Sequence, residues 1–252
     1  MTKLPLTSAA FMTLAAISSA YAADLPPAPR YVAPGPVVVA PVYRWTGCYL
    51  GAGGGFGMWN EDNTIAGATP ASTAGGRGYF GQGQVGCDYQ FNPGFFNTNI
   101  VVGVFGDGEL GNLKSHTDID LGGLFGQEKE TSSWAAGGRI GVLLTPNFLP
   151  YTTGGYTQAH FDQINLATFP GGLTGTINSH NYNGYFLGTG FEYGLAFVPG
   201  LFLKTEYRYS VYESATLPIV PGPGAPAGLS VNSSKDVQTL STELVYRFNW
   251  SQ

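Results

Sequence analysis

The sequence is short of charge and has no long apolar run. Asp, Glu, Lys and Arg together make up 11% of its 252 residues, against about 25% in an average soluble domain. No stretch reaches the roughly 18 apolar residues that a transmembrane helix needs, so any membrane span has to be made of strands. With only two cysteines the chain can form at most one disulfide. Basic residues are scarce too: the formal net charge is −5, which argues against a nucleic-acid partner.

Glycine and aromatics are abundant, with 38 Gly and 14% Phe, Trp and Tyr. The clearest pattern runs from Tyr185 to Tyr209, as YFLGTGFEYGL, the turn AFVPG and then LFLKTEYRY. On the first arm Tyr185, Leu187, Phe191, Tyr193 and Leu195 alternate with Gly188, Gly190, Glu192 and Gly194. On the second, Leu201, Leu203, Tyr207 and Tyr209 alternate with Lys204, Glu206 and Arg208. A period of two around a Pro-Gly turn predicts an antiparallel hairpin. Aromatics gather at the strand ends of the apolar face, and glycine with both signs of charge occupies the other. That polarity fits lipid outside and a crowded lumen inside better than a soluble sandwich.

Taken in order, residues 1–22 carry Lys3, an apolar-to-small run and Ala20-Tyr21-Ala22, the marks of an export signal cleaved before Ala23. Residues 23–44 are punctuated by proline and read as an extended periplasmic tether. Residues 45–252 hold the strands, expected at 45–58, 79–91, 99–110, 134–145, 148–161, 185–195, 201–209 and 237–248. Neither parity of 148–161 is clearly apolar, so its faces stay unassigned. The glycine run in WTGCYLGAGGGFGM has a dinucleotide-loop look, but no helical period follows it.

Long polar connections at 59–78, 111–133, 162–183 and 210–236 alternate with short ones at 92–98, 146–147 and 196–200. The expected fold is therefore all-β, an eight-stranded antiparallel up-and-down transmembrane barrel with long extracellular loops and short periplasmic turns. Its lumen would collect Asp88, Asp107, Glu109, Glu192, Glu206 and Glu243 against Arg139, Lys204, Arg208 and Arg247. Side chains can fill so narrow a barrel, and unpaired charges there would be costly.

Candidate chemistry is sparse. His116 and His180 fall in loops and His160 at a strand top near Asp162, with no Gly-x-Ser-x-Gly elbow, so no catalytic residue is assigned. Asp118 and Asp120, with Glu128 and Glu130 beyond, could gather calcium or magnesium at the cell surface, but they lack EF-hand spacing and read as solvated loop charges, so no metal or cofactor is expected. Cys48 and Cys87 share the lipid-facing parity. A first hairpin whose paired residue numbers sum to 135 sets them opposite each other, with Gly67 and Ala68 at the apex; a slip in register would leave two small apolar residues facing lipid.

AADLPP, PVYRWTGCYLGAGGG, GQGQVGCDYQF, GGRIG, LPYTTGGYTQA, GFEYGLA, KTEYRY and ELVYRF cover nearly the whole mature chain. In these stretches it resembles the RopB-like outer-membrane immunogenic proteins, also called porin-family proteins, which are akin to the OmpA membrane domain. Phe105 stands where that family often has glutamate, and Asn249–Gln252 follow the terminal aromatic Phe248. The expected role is that of a non-enzymatic barrel of the cell outer membrane that contributes to envelope integrity and displays its loops, surrounded by lipid and lipopolysaccharide. The resemblance implies biogenesis through periplasmic chaperones and the barrel-assembly machinery. A small diffusion pore, a barrel enzyme and an adhesive surface are the alternatives, and no motif names a ligand or an oligomeric state.

Overall fold

The computed structural model describes residues 43–65, 72–94, 98–115, 119–120, 124–168, 173–223 and 228–248. The export signal, nearly all of the tether, the Gly67–Ala68 apex, His116, Asp118 and Asn249–Gln252 lie outside the described residues. In chain order the strands are β1 (Gly47–Ile65), β2 (Ser72–Phe91), β3 (Ile100–Ser115), β4 (Ile119–Asp120), β5 (Leu124–Gly126), β6 (Lys129–Val142) and β7 (Phe148–Phe161). They continue as β8 (Ile164–Thr168), β9 (Leu173–Ile177), β10 (His180–Gly194), β11 (Leu201–Tyr212), β12 (Ala215–Pro221) and β13 (Ser230–Phe248).

Eight of them form the barrel: β1, β2, β3, β6, β7, β10, β11 and β13 pair antiparallel in that order, and β1 pairs with β13 to close the ring. Closure removes every edge in the membrane-spanning wall, which lipid would otherwise leave unpaired. Leu50, Val85, Val104, Ile140, Leu187 and Leu244 point out to lipid. A girdle of Tyr79, Trp134, Tyr156, Tyr185 and Tyr209 marks the outer boundary, and Tyr89, Phe91, Tyr193, Tyr246 and Phe248 mark the inner one. On β7 the inward parity is odd: Leu149, Tyr151, Thr153, Thr157 and Phe161 are buried and Tyr156 is not.

The strands run further than the alternation suggests. β1 continues past Met58 to Ile65 and β13 begins at Ser230 rather than 237. Beyond the outer girdle the outward face meets water, so Asn60 and Asp62 replace the apolar residues that made the pattern visible, while backbone pairing continues unbroken. The connections after β3, β7 and β11 are not plain loops either. β12 leaves β13 and carries an upper sheet, β12-β9-β8-β5-β4. Ile164, Leu166, Ile177 and Ile219 of that sheet share one apolar cluster with Trp59 and Val231 of the barrel.

The lumen's width sets its glycine content. A Cβ added at Gly86 would stand 2.5 Å from the Tyr49 hydroxyl, and one at Gly190 would stand 2.7 Å from that of Tyr151. Both tyrosines lie flat against the inner wall only because these neighbours have no side chain.

Candidate functional site

The functional question is whether the lumen is a path or a plug, and its side chains fall into four layers. At the periplasmic end Trp45, Val101, Leu149, Phe202 and Val245 form a buried apolar floor. The Trp45 indole donates to the Pro146 carbonyl at 3.1 Å and packs on Phe202 with centroids 4.8 Å apart.

Above the floor, four strands each contribute one charge to a ring of Asp88, Arg139, Glu192 and Arg247. Arg139 Nε donates to Asp88 at 2.8 Å, its Nη2 also contacts that carboxylate, and its Nη1 reaches Glu192 at 2.9 Å. Arg247 donates to Glu192 at 2.7 and 2.9 Å and to Asp88 at 2.6 Å. Each carboxylate therefore bridges both guanidiniums, which balances two charges of each sign. Tyr49 and Tyr151 face the Arg139 guanidinium at 4.8 and 5.3 Å.

The third layer joins β11 to its neighbours across the lumen. Lys204 Nζ donates to Gln84 at 2.8 Å and to Glu243 at 3.0 Å, and lies 3.3 Å from Glu206. Arg208 grips Asp107 in a two-pronged pair at 2.8 and 3.0 Å and also donates to Glu206 at 3.0 Å. Phe105 is buried here and lies tilted against Phe186, with the Arg208 guanidinium 5.8 Å from the first ring and 4.3 Å from the second. An aromatic face thus meets the cation that an acid at 105 would meet.

All ten charges expected in the lumen point inward. Nine are buried; Glu109 is half-buried and, among the described residues, accepts from the Ser133 hydroxyl at 3.1 Å. Above this layer, among the described residues, lie two small voids of about 10 Å³ each, lined in part by Glu109, Glu130 and Ser133, roughly one water apiece.

Sequence reading missed a fourth layer. Lys235 is buried and lies 2.5 Å from Glu61 and 2.6 Å from Glu128, inside a cage of Phe161, Tyr182 and Trp59 whose centroids stand 4.6, 5.0 and 5.3 Å away. The Ser233 hydroxyl donates to Glu61 at 2.5 Å. Glu128 and Glu130, read from the sequence as solvated loop charges, are both buried. The available signal was parity: Glu61 continues the inward series of Tyr49 and Trp59, and Lys235 that of Glu243 and Arg247. Glu128 sits between strands beyond the membrane, where burial pushes its carboxyl from 4.5 up to about 8 against the pull of Lys235.

On the outer wall Cys48 and Cys87 are paired in register and joined by a disulfide. His160 is on the outside, with Nδ1 2.6 Å from Asn181 and Nε2 3.8 Å from Asp162. Among the described residues no three acidic, His or Cys side chains gather as a metal site.

No protein-family model matches the chain. The 25 kDa outer-membrane immunogenic protein of Brucella canis is 30% identical over 249 residues, which covers 97% of each chain. The protein of the same name from Brucella abortus is 28% identical over 250 residues, again 97% of each. Among solved structures, Neisserial surface protein A aligns over 81% of this chain and 98% of its own at 14% identity, with a TM-score of 0.41. The outer membrane protein OprG from Pseudomonas aeruginosa aligns over 82% and 99% at 14% identity, with a TM-score of 0.42.

Proposed function

Because the chain belongs to the family of the 25 kDa outer-membrane immunogenic proteins, we propose that it acts as a closed, non-catalytic barrel that stiffens the outer membrane and displays its long connections to the exterior. It is an outer-membrane β-barrel, and the observation that carries the finer reading is the filled lumen. Floor, ring, β11 layer and Lys235 cage follow one another along the lumen, and the voids found beside Glu109 and Glu130 are water-sized. A path for solutes would have to break several buried ion pairs at once, each costly to separate in a dry interior. Lipid and lipopolysaccharide are its surroundings, and its strands reach the membrane through periplasmic chaperones and the barrel-assembly machinery. The export signal at 1–22 and the tether at 23–44 belong to the same proposal.

Planar-bilayer recording of the refolded protein tests it. The expected trace is a silent membrane at moderate voltage. Steady, reproducible unit conductance would replace this reading with the diffusion pore.

A further inference from the structure

The interior acids outnumber the bases, and the surplus is local. The ring balances two acids with two bases; the β11 layer sets Asp107, Glu206 and Glu243 against Lys204 and Arg208; the cage sets Glu61 and Glu128 against Lys235. Glu109 and Glu130 have no ion pair in this set. Glu130 is only 4% exposed, lines both water-sized voids, and its Oε2 has no hydrogen-bond partner. A carboxyl oxygen so deeply buried is costly unless something supplies the missing contact.

The wall is irregular at this place. Between the pairs Leu110↔Ser132 and Leu113↔Glu130 two β3 residues, Gly111 and Asn112, oppose the single Thr131 of β6, and the β6–β7 ladder slips at the same point. Glu109, Ser133 and Trp134 line, on one side, the void that Thr157 and Ser210 also border and, on the other, a half-open outer groove of about 420 Å³. The void is thus one layer of side chains from the exterior.

We propose that this void is a binding site for one hard divalent cation of the calcium class, entering from the groove at the bulge. The donors are oxygens throughout: the Glu109 and Glu130 carboxylates, with the hydroxyls of Ser133, Thr157 and Ser210 around the same void. Such a set suits calcium, which accepts irregular oxygen shells, and two carboxyls that form no direct ion pair among the described residues match its charge. Arg208 also lines the void, but its guanidinium is committed to Asp107 and Glu206. A bulge placed here gives an ion access without opening the lumen below.

Terbium serves as the luminescent probe for calcium, with Trp134, which lines the same void, as the sensitiser. Full-chain protein refolded in detergent is titrated with terbium and then back-titrated with calcium. The expected result is one sensitised terbium per barrel, displaced by calcium, lost in Glu130→Gln and in Glu109→Gln, and kept in the surface variant Glu213→Gln. Calcium should also raise the temperature of the heat-induced gel shift in wild type and not in Glu130→Gln. Should Glu130→Gln fail to refold, the half-buried Glu109→Gln carries both readouts. Absent emission in wild type, or equal emission and equal stabilisation in wild type and the two variants, overturns the site. A Glu130→Gln protein that is more stable than wild type, together with a wild type indifferent to calcium, also overturns it and assigns the pair a shared proton instead.

Discussion

The lower ring and the upper cage solve the same problem in different ways. Below, Asp88, Arg139, Glu192 and Arg247 come from four rigid barrel strands and match charge for charge. Above, one ammonium serves two carboxylates, one of them on the connection between β5 and β6, and aromatic faces supply the rest of its surroundings. The balanced group lies where lipid surrounds the wall and no water can relieve an error. The unbalanced groups lie towards the exterior, where protons and ions are near. Buried charge is therefore matched most closely where escape to solvent is hardest.

Arg139→Leu should separate the two regions most sharply. It leaves Asp88 and Glu192 with Arg247 alone and should destabilise the barrel by about 3–5 kcal/mol in a urea refolding titration. An unchanged midpoint would mean that the ring is solvated after all.

Loss of the disulfide through Cys87→Ser should cost about 2–4 kcal/mol, because it frees the first hairpin in the unfolded chain. Alkylation of the denatured, unreduced wild type should add no mass, and two modified thiols would contradict the bond.

The cage should respond to pH. A carboxyl held near 8 in the folded state instead of 4.5 gives stability that is full below 4.5 and is lost as pH rises through about 8. The slope is at most about 1.4 kcal/mol per pH unit. The urea midpoint should fall between pH 5 and pH 8.5 in wild type and fall by less in Glu128→Gln. An equal response in both proteins would remove Glu128 from the account.

The smallest effect belongs outside. His160→Ala removes a half-exposed contact to Asn181 and should shift stability by less than about 0.5 kcal/mol.

The membrane part of this fold was legible in the sequence because lipid forces apolar residues onto every second position. Tyr185–Tyr209 and Gln82–Phe91 show it, and the same parity turned all ten lumen charges inward. The legibility stops at the outer girdle. From Asn60 to Asn63 the outward residues are polar, so the alternation loses contrast although the ladder does not end. INLAT at 164–168 and LTGTI at 173–177 are too short to show a period, and their strands exist through pairing with each other and with β12. The partners of a given charge were beyond reach for a further reason. Asp88 and Arg247 meet over the inner face of β1, 159 residues apart in sequence, and only barrel closure sets that distance.

Closure has a consequence for the order of assembly. β13 follows the other seven barrel strands in the chain and seals the wall by pairing with β1 from Cys48↔Phe248 to Ile65↔Val231. It also delivers Arg247, Glu243 and Lys235, one charge to each of three layers. Before it docks, Asp88 and Glu192 confront a single guanidinium, and Glu61 and Glu128 confront no ammonium at all. The seam and the interior charges are therefore completed in one event, and a chain that has not yet zipped its first strand to its last holds a lumen that still attracts water.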